Sequence, residues 1–405
     1  MSRACAFRQH HRLIDMIYFD AGGGHRASAT ALKAVAEQQR RPWRMRLINL
    51  REVLEPADFI HRLTGVRSED LYNTMLKFDL TAGVSPMLPL MHLLIRRTHG
   101  RNVKLLARHW MEPRPDLVVS LIPHFNRAIF EGLRLADANC DGHPTPMVTI
   151  MTDLADCPPH FWIEAQDQFL ICATTVAARQ ALAIGLAPQR VVRTSGMIVR
   201  PAFYNRQQTC RADERRRLGL DRGLPTGLVM FGGYGSLRML TIAQRVAESG
   251  QPIQLIFICG NNQYLRQQLT AMELPFRCHV EGFTSNVPYF MQLADFFVGK
   301  PGPGAISEAL VSGLPLIVVR NASTMVQERY NAEWIMRNQL GLVIPSFSEI
   351  GGAVAGIIDA EQSRRFRAHV AMLNNRAVFE IPEILEEIMA MPPASLDQRA
   401  AHAFA

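Results

Sequence analysis

A glycine-rich turn in the second half of the chain contains the residue types that bind phosphate groups. From Asp295 the sequence reads DFFVGKPGPGAISEALV: an apolar strand, the turn GKPGPG, and a helix expected to start near Ala305. Glycines let a ligand approach the backbone, and the unpaired amides at a helix start favour a diphosphate. Ser307 and Glu308 would lie in the first helical turn, where the Glu308 carboxylate could accept hydrogen bonds from two ribose hydroxyls. The residues predicted to form this site are Lys300, Gly302, Pro303, Gly304, Ala305, Ser307 and Glu308.

A second glycine turn, with Gly232, Gly233, Gly235 and Ser236, follows the predicted strand at 228–231. It stands at the carboxyl end of a strand, where ligands bind in open α/β sheets. Both turns also fit ordinary strand-to-helix connections without a ligand. For the first turn, the dense Gly-Pro spacing followed by Ser-Glu favours a binding site.

His25 is the best single candidate for a catalytic side chain. It follows three glycines, at a predicted turn between a strand and a helix that starts at about Ser28. A neutral imidazole can accept a proton from an attacking hydroxyl near pH 7. Asp153, after the predicted strand at 147–152, is a second candidate base or a partner for His25. The alternatives are that His25 only positions an acceptor and that Asp153 caps its turn.

Short apolar runs alternate with helix-length amphipathic segments, which is typical of β-α units and parallel sheets. The predicted strands are 14–19, 45–50, 116–122, 147–152 and 168–172, then 227–231, 254–259, 277–281, 296–299 and 316–319. A turn-rich segment at 195–205 separates the two series. We predict two doubly wound α/β domains, at 1–200 and 201–390, and a disordered tail at 391–405.

The composition restricts the class of protein and its partners. The 405 residues include 44 Lys and Arg against 36 Asp and Glu, and the net charge of +8 favours anionic partners. The seven cysteines form no C-x-x-C pair, which indicates free thiols in a reducing compartment. Neither a D-x-D triplet nor a zinc-ligand spacing occurs, so we expect no metal or other cofactor. The basic residues are not part of a nucleic-acid-binding motif, so we expect no nucleic-acid partner.

Residues 88–110 combine apolar, basic and aromatic side chains. They read LPLMHLLIRRTHGRNVKLLARHW, in which cations follow an apolar run and Trp110 closes the stretch. Such a segment can lie on an anionic bilayer, and a core helix with a basic solvated face has the same composition. No apolar run is long enough to span a membrane, and no apolar signal segment follows the N-terminus. We predict a cytoplasmic protein that is peripheral on the inner face of a membrane.

Motifs along most of the chain, about residues 14–338, resemble the monogalactosyldiacylglycerol synthase family and its relative, the peptidoglycan N-acetylglucosaminyltransferase. In chain order they are DAGGGHRASATAL, PDLVVSLIPHF, TIMTDLADCPPHFW, GMIVRPAF, VMFGGYGS, FICGNN, VEGFTSNVPYFMQLADFFVGK, GKPGPGAISEALVSGLPLIV and TMVQERYNAEW. One departure bears on the acceptor. The galactolipid enzymes commonly read C-H-P-T-W-F where this chain has CPPHFW at 157–162.

The resemblance implies an α/β protein of GT-B architecture, in which two Rossmann-like doubly wound domains face each other across a cleft. The C-terminal domain would hold a UDP-sugar, the N-terminal domain would hold the acceptor, and the anomeric centre would be inverted. The resemblance assigns donor phosphates to the turn at 232–236, uracil to Phe283, and the donor sugar to Gln327 and Glu328 in a motif that Asn331 completes.

The acceptor side would consist of Gly23, Gly24, Arg26 and His124. Local sequence alone leaves simpler alternatives for several of these positions. They are a core position for Phe283, a solvated helix start for Gln327 and Glu328, and a surface position for His124.

We therefore expect a glycosyltransferase that moves a hexose from a UDP-sugar, its co-substrate, to a membrane lipid. Diacylglycerol is the favoured acceptor by resemblance, and UDP-galactose or UDP-glucose the favoured donor. Two alternatives stay open. One is an enzyme like UDP-N-acetylglucosamine 2-epimerase, which shares the fold, and the other is a nucleotide-sugar-binding or membrane-binding protein without turnover.

Overall fold

Two α/β domains make up the described part of the chain. The structure is a computed structural model that describes residues 11–20, 24–54, 84–139, 143–205 and 209–392, with the side chains of 84–92 and 94 left out. Most of the predicted tail, from residue 393, lies outside these ranges.

The strands alternate with helices in the order that the apolar runs predict. The strands are β1 Arg12–Tyr18, β2 Trp43–Asn49, β3 Leu117–Ser120, β4 Met147–Ile150, β5 Phe169–Cys172, β6 Val191–Arg193, β7 Thr226–Met230, β8 Gln254–Ile258, β9 Cys278–Glu281, β10 Phe296–Gly299, β11 Leu316–Val319 and β12 Gly341–Ile344. The helices are α1 Gly24–Gln38, α2 Leu50–Leu54, α3 Val84–Met111, α4 Asn126–Asp137, α5 Thr175–Ala183, α6 Arg211–Arg217, α7 Arg238–Ser249, α8 Gln263–Ala271, α9 Val287–Leu293, α10 Pro303–Val311, α11 Val326–Arg337, α12 Ile350–Ile358, α13 Ala360–Met372 and α14 Ala377–Ala390.

The N-terminal sheet has six parallel strands in the order β2-β1-β3-β4-β5-β6. Its central strands β3, β4 and β5 read LVVS, MVTI and FLIC, and every residue in them is buried. Such continuous apolar strands occur where helices cover both faces of a parallel sheet. The order reverses between β1 and β3, so the loops that follow these two strands meet at a switch point.

The C-terminal sheet also has six parallel strands, in the order β12-β11-β10-β7-β8-β9. Its order reverses between β7 and β10, and the two predicted glycine turns follow these two strands. The prediction of two doubly wound α/β domains is confirmed.

Several element boundaries differ from the prediction. The strands β6 and β12 were not predicted; they lie at the ends of their sheets and are only partly buried, unlike the continuous buried runs of the central strands. Helix α1 begins at Gly24 rather than near Ser28. Helix α10 begins at Pro303, so Glu308 lies in its second turn and not its first.

The last helix, α14, packs on the N-terminal domain, although residues up to 390 were predicted to form the C-terminal one. Its buried side chains, among them Ile381 and Leu385, belong to the same core as Ile14 and Leu32. The chain therefore passes between the domains twice, once at the linker near residues 195–205 and again before α14. A hydrogen bond joins the linker to α14, because the Ser195 amide donates to Glu380 Oε2 at 2.9 Å.

Helix α3 corrects one part of the membrane prediction. Trp110 is fully buried, and its indole Nε1 donates to Asp15 Oδ2 at 3.0 Å, so this side chain is held in the core and cannot insert into a bilayer. The opposite face of α3 is exposed and carries Arg97, Arg101, Lys104 and Arg108, which follow one another at helical spacing. Among the described helices, none is both long and apolar enough to cross a membrane.

Candidate active site

The two glycine turns of the C-terminal domain lie side by side, because β7 and β10 are neighbours in the sheet. Gly232 and Gly235 have φ values of +77° and +61°, which favour glycine over residues with a side chain. A Cβ at Gly232 or Gly233 would meet no atom within 4 Å, so this backbone borders open space. The turn can therefore present backbone amides to a ligand at the switch point.

The start of α10 forms the second part of this edge. Gly302 is the cap residue and no side chain caps the helix. The first helical hydrogen bond runs from the amide of Ile306 to the carbonyl of Gly302 at 3.1 Å, so the amides of Gly304 and Ala305 have no partner within the helix. Pro303 has no amide hydrogen and starts the helix at no cost in hydrogen bonds. Two unpaired amides at the positive end of a helix dipole suit a phosphate group.

An ion pair borders the α10 start. Lys300 Nζ lies 2.9 Å from Glu328 Oε1, and a Cβ at Gly302 would lie 3.4 Å from that same carboxylate oxygen. Glu328 is only 5% exposed, so the alternative of a solvated helix start is wrong for this residue. Its neighbour Gln327 is half-buried, and its Nε2 lies 3.6 Å from Met325 Sδ.

Asn331 holds the turn from the other side. The side chain is fully buried, and its Nδ2 donates to the carbonyl of Pro301 at 2.8 Å. Its Oδ1 is buried without a hydrogen-bond partner among the described residues.

Glu308 is paired with a residue of the interdomain linker. Its Oε1 lies 3.6 Å from Arg200 Nε, and its side chain is 21% exposed. Burial raises the pKa of Glu308 to about 7, and the Arg200 guanidinium opposes this rise. A carboxylate with so little water around it gains from any hydroxyl groups that donate to it.

Three further positions predicted on the donor side have different surroundings. Phe283, after β9, is 67% exposed, so the alternative of a core position is wrong and its ring face is open to stacking. Ser236 is buried, and its Oγ accepts from the amide of Arg238 at 3.2 Å. Ser307 is buried and lines a cavity of about 570 Å³ together with Leu310, between α10 and the segments that join the domains. Ser307 therefore faces this cavity, which Gly304 and Ala305 do not line.

On the N-terminal domain, His25 is the second residue of α1, at the switch-point edge. Its Nδ1 lies 3.1 Å from Thr152 Oγ1, after β4. Burial lowers the pKa of His25 to about 4, although a hydrogen bond to the Leu121 backbone favours the protonated form. The imidazole is therefore neutral near pH 7.

Asp153 lies beside Thr152 and is almost completely buried. Its Oδ2 accepts a hydrogen bond from Trp162 Nε1 at 2.8 Å. Burial raises the pKa of Asp153 to about 7, with further effects from the indole, Glu328 and Lys300. A carboxyl whose pKa is near the working pH is well matched to proton transfer.

The charges of Glu328 and Lys300 affect the pKa of Asp153 from the other domain. Asp153 belongs to the N-terminal domain, whereas the ion pair belongs to the C-terminal domain and borders α10. Leu154, the residue after Asp153, also belongs to the same buried cluster as Ile306 and Leu310 of α10. The candidate base and the candidate phosphate site therefore lie next to each other across the boundary between the domains.

The remaining acceptor-side predictions surround this edge. His124 follows β3 with a φ of +67°, its amide donates to the Phe161 carbonyl at 2.7 Å, and its ring packs edge-on against the Phe161 ring. His124 is half-buried, so it is not the fully exposed surface residue that local sequence alone allowed. Arg26 is exposed and lies 3.5 Å from Asp20, and Gly24 opens α1 with free space around it. Gly23 lies outside the described residues.

Sequence reasoning missed three residues that complete this arrangement: Thr152, Trp162 and Arg200. Thr152 and Arg200 contact His25 and Glu308, which are more than a hundred residues away in the chain, and Trp162 contacts His25 as well as the nearby Asp153, so local sequence does not reveal these roles. The motif TIMTDLADCPPHFW contains the first two, and the linker motif contains Arg200, but only the folded chain shows what they touch.

Two doubly wound parallel sheets whose ligand-binding edges face each other form the GT-B architecture. Similarity to known proteins identifies the chain as a glycosyltransferase. Residues 230–360 match the family model described as the glycosyltransferase family 28 C-terminal domain. The chain is 29% identical over 397 residues to the chloroplastic monogalactosyldiacylglycerol synthase of Spinacia oleracea, a match that covers 91% of this chain and 71% of that protein. The resemblance to the monogalactosyldiacylglycerol synthase family is thereby confirmed.

Two solved structures share the fold over nearly their whole length. HepE of Anabaena, in complex with UDP and glucose, has a TM-score of 0.54 at 15% identity and covers 94% of this chain and 100% of its own. MurG of Acinetobacter baumannii has a TM-score of 0.58 at 11% identity and covers 93% of this chain and 99% of its own. These identities are low, so the two structures support the architecture and not a substrate.

Proposed function

We propose that this enzyme transfers a hexose from a UDP-sugar to the hydroxyl of a membrane lipid, with inversion at the anomeric carbon. The favoured donors are UDP-galactose and UDP-glucose, and the favoured acceptor is diacylglycerol. Support comes from the phosphate-binding features of the C-terminal edge, from the UDP and glucose in the complex of HepE, and from the name of the spinach relative.

The donor would bind along the C-terminal edge. The amides of Gly304 and Ala305 and the turn at 232–236 would hold the diphosphate, with Lys300 close by. Glu308 would accept hydrogen bonds from the ribose hydroxyls in place of Arg200, and Phe283 would stack on uracil. Gln327 and Glu328 would bind the sugar hydroxyls. In this scheme helix-end amides and Lys300, rather than a metal ion, stabilise the negative charge that develops on the departing UDP.

The acceptor would enter from the N-terminal edge, near Gly24, Arg26 and His124. Its hydroxyl oxygen would form a bond to the anomeric carbon while the bond from that carbon to the UDP oxygen breaks. UDP leaves with the electron pair of that bond, and the hydroxyl proton passes to a base on the N-terminal wall. One displacement of this kind inverts the anomeric centre.

Asp153 is the proposed base. With a pKa of about 7 it is largely ionised at slightly alkaline pH, whereas the pKa of about 4 at His25 makes that imidazole a much weaker base. We therefore assign His25 to positioning the acceptor hydroxyl. The pH dependence of kcat/KM separates the two roles. An acidic limb near pH 7 supports Asp153, and activity that persists down to about pH 5 would assign the base to His25 instead.

The basic face of α3 would bring the enzyme to a lipid surface. Arg97, Arg101, Lys104 and Arg108 lie on one exposed stripe in the acceptor domain, and the apolar Leu93 and Met111, each 47% exposed, stand at its two ends. Exposed cations with flanking apolar side chains favour an anionic bilayer. We propose that the protein acts as a peripheral membrane protein on the cytoplasmic side.

The single observation that carries this proposal is the position of Asp153 opposite the Lys300–Glu328 pair. The test is to incubate the purified protein with UDP-galactose, UDP-glucose and UDP-N-acetylglucosamine, with and without diacylglycerol, and to identify products by mass spectrometry. We expect a hexosyl-diacylglycerol whose anomeric configuration, read by NMR, is opposite to that of the donor.

Other outcomes would reject the proposal. A nucleotide sugar that changes configuration without lipid would indicate an epimerase, and UDP binding without turnover would indicate a binding protein. If a glycolipid forms but neither His25→Ala nor Glu308→Ala lowers its yield, the site assignment is wrong.

A further inference from the structure

One buried indole contacts both candidate catalytic side chains. Trp162 has no exposed surface, and its Nε1 donates to Asp153 Oδ2 at 2.8 Å. Its ring centroid also lies 6.0 Å from that of the His25 imidazole, with the two planes at 53°. His25 in turn contacts Thr152, the residue before Asp153, so the four side chains form one packed group.

The backbone of Trp162 is fixed by two buried polar side chains. Its amide donates to Asp156 Oδ1 at 2.6 Å, and the second oxygen of that carboxylate accepts from the His160 amide at 2.8 Å. Its carbonyl accepts from Asn126 Nδ2 at 2.9 Å, and Asn126 Oδ1 accepts from Ser120 Oγ at 2.6 Å. The indole is thereby connected to the end of β3 and the start of α4.

The geometry points to Trp162 as a positioning residue: its indole N–H holds the Asp153 carboxylate toward the cleft while its ring sets the position of His25. This inference rests on the proposed function, because it concerns the proton-transfer step of that reaction. Trp162 is the last residue of the segment CPPHFW, where the chain departs from the galactolipid enzymes, so the inference gives this segment a role in the active site.

Electrostatics give the contact a measurable consequence. The charge of Lys300 and the Trp162 hydrogen bond lower the pKa of Asp153, whereas burial, Glu328 and Asp156 raise it. Loss of a hydrogen bond to a charged group typically corresponds to about one to two pH units in the pKa of that group. Without the indole N–H, Asp153 should therefore need a higher pH to ionise.

The test is Trp162→Phe, which keeps a buried ring and removes the donor. We expect the acidic limb of kcat/KM to move up by about one to two pH units, so activity at pH 7 falls about five- to fifty-fold and recovers to within about twofold at pH 9. The KM for the donor should change little. If Phe is not accommodated, Asn126→Ala loosens the same indole through its backbone and should shift the limb in the same direction.

Trp110→Phe is the matched control. This tryptophan is also fully buried in the N-terminal domain and also donates through Nε1 to a buried aspartate, Asp15, at 3.0 Å. It should lower the Tm by a similar amount and leave the pH profile unchanged. An unshifted profile in Trp162→Phe, or an equal shift in Trp110→Phe, would overturn the inference.

A measurement without substrate separates this inference from the proposed function. Asp153→Asn is introduced both into the wild type and into Trp162→Phe, and the resulting change in Tm is measured from pH 5 to pH 9. Because this change depends on the ionisation of Asp153, its pH dependence reports the pKa of Asp153 in each background. The midpoint of that change should lie at higher pH in the Trp162→Phe background. If it does and the wild type makes no glycolipid, the proposed function fails and the contact stands. If the midpoint does not move, the inference fails whatever the activity.

Discussion

Replacement of Asp153 by Asn should make the protein more stable and nearly inactive. The carboxyl is almost completely buried, and burial is the largest cause of its raised pKa. Asn has the same shape and no charge, and its side-chain oxygen can still accept from Trp162. The variant therefore removes an unfavourable ionisation while keeping the packing.

The size of the effect follows from the pKa shift. A rise from 3.8 to about 7 is about three pH units, which corresponds to about 4 kcal/mol once both folded and unfolded chains are ionised. Below about pH 4 the carboxyl is protonated in both states, so the penalty is absent. Between about pH 4 and 7 the unfolded chain loses the proton first, so the wild type loses stability progressively. Above about pH 7 the penalty is constant.

Thermal unfolding at pH 5, 6, 7 and 8 measures this difference. One kcal/mol shifts the Tm of a domain of this size by about 2–4 °C, so even half of the full effect gives a rise of at least about 4 °C at pH 8. The rise should be much smaller at pH 5. Activity should fall about 10²- to 10⁴-fold, the usual contribution of a general base.

Asp156→Asn is the control in the same loop. Its two carboxylate oxygens accept from the amides of Trp162 and His160, and an Asn NH₂ would face one of those donors. Burial raises the pKa of Asp156 as well, so this variant also removes an unfavourable ionisation, but the mismatched hydrogen bond costs about 1–3 kcal/mol, and the variant should stabilise the protein less than Asp153→Asn does. A Tm difference for Asp153→Asn that stays constant from pH 5 to pH 8 would refute the assignment of a raised pKa to Asp153.

Three further predictions concern the donor and the membrane. Glu308→Gln should raise the KM for the donor about 10- to 100-fold, because the ribose hydroxyls lose a charged acceptor; steady-state kinetics measures this, and an unchanged KM would contradict it. Phe283→Ser should weaken UDP binding about 5- to 100-fold through lost stacking, with an unchanged Tm because the ring is exposed; isothermal titration calorimetry tests it. Reversal of Arg97, Arg101 and Lys104 to Glu should weaken binding to phosphatidylglycerol vesicles at least about 100-fold, and equal reversals in the C-terminal domain should not.

Much of the architecture could be predicted from the sequence, because its signals are local. Buried parallel strands such as LVVS and FLIC are continuous apolar runs, and the helices between them show their own periodicity. The strands β6 and β12 were not predicted: they lie at the ends of their sheets and are only partly buried, so neither is a fully buried apolar run. Helix α14 was predicted to belong to the C-terminal domain, whereas it packs on the N-terminal one. Local sequence does not indicate which of two cores an apolar helix face will pack against.

The sequence by itself determined where the chain turns after the apolar strands, since clustered glycine and proline residues at a strand end favour a turn that exposes backbone amides. It therefore predicted the turn at 232–236 and the α10 start, and it named His25, Asp153 and Glu308 as candidates. Only the tertiary structure decided how these groups are tuned. The separation of the His25 and Asp153 pKa values, the Lys300–Glu328 pair and the indole of Trp162 depend on burial and on contacts between distant segments. Both arise when the chain excludes water from the cleft walls, and no local sequence pattern records that.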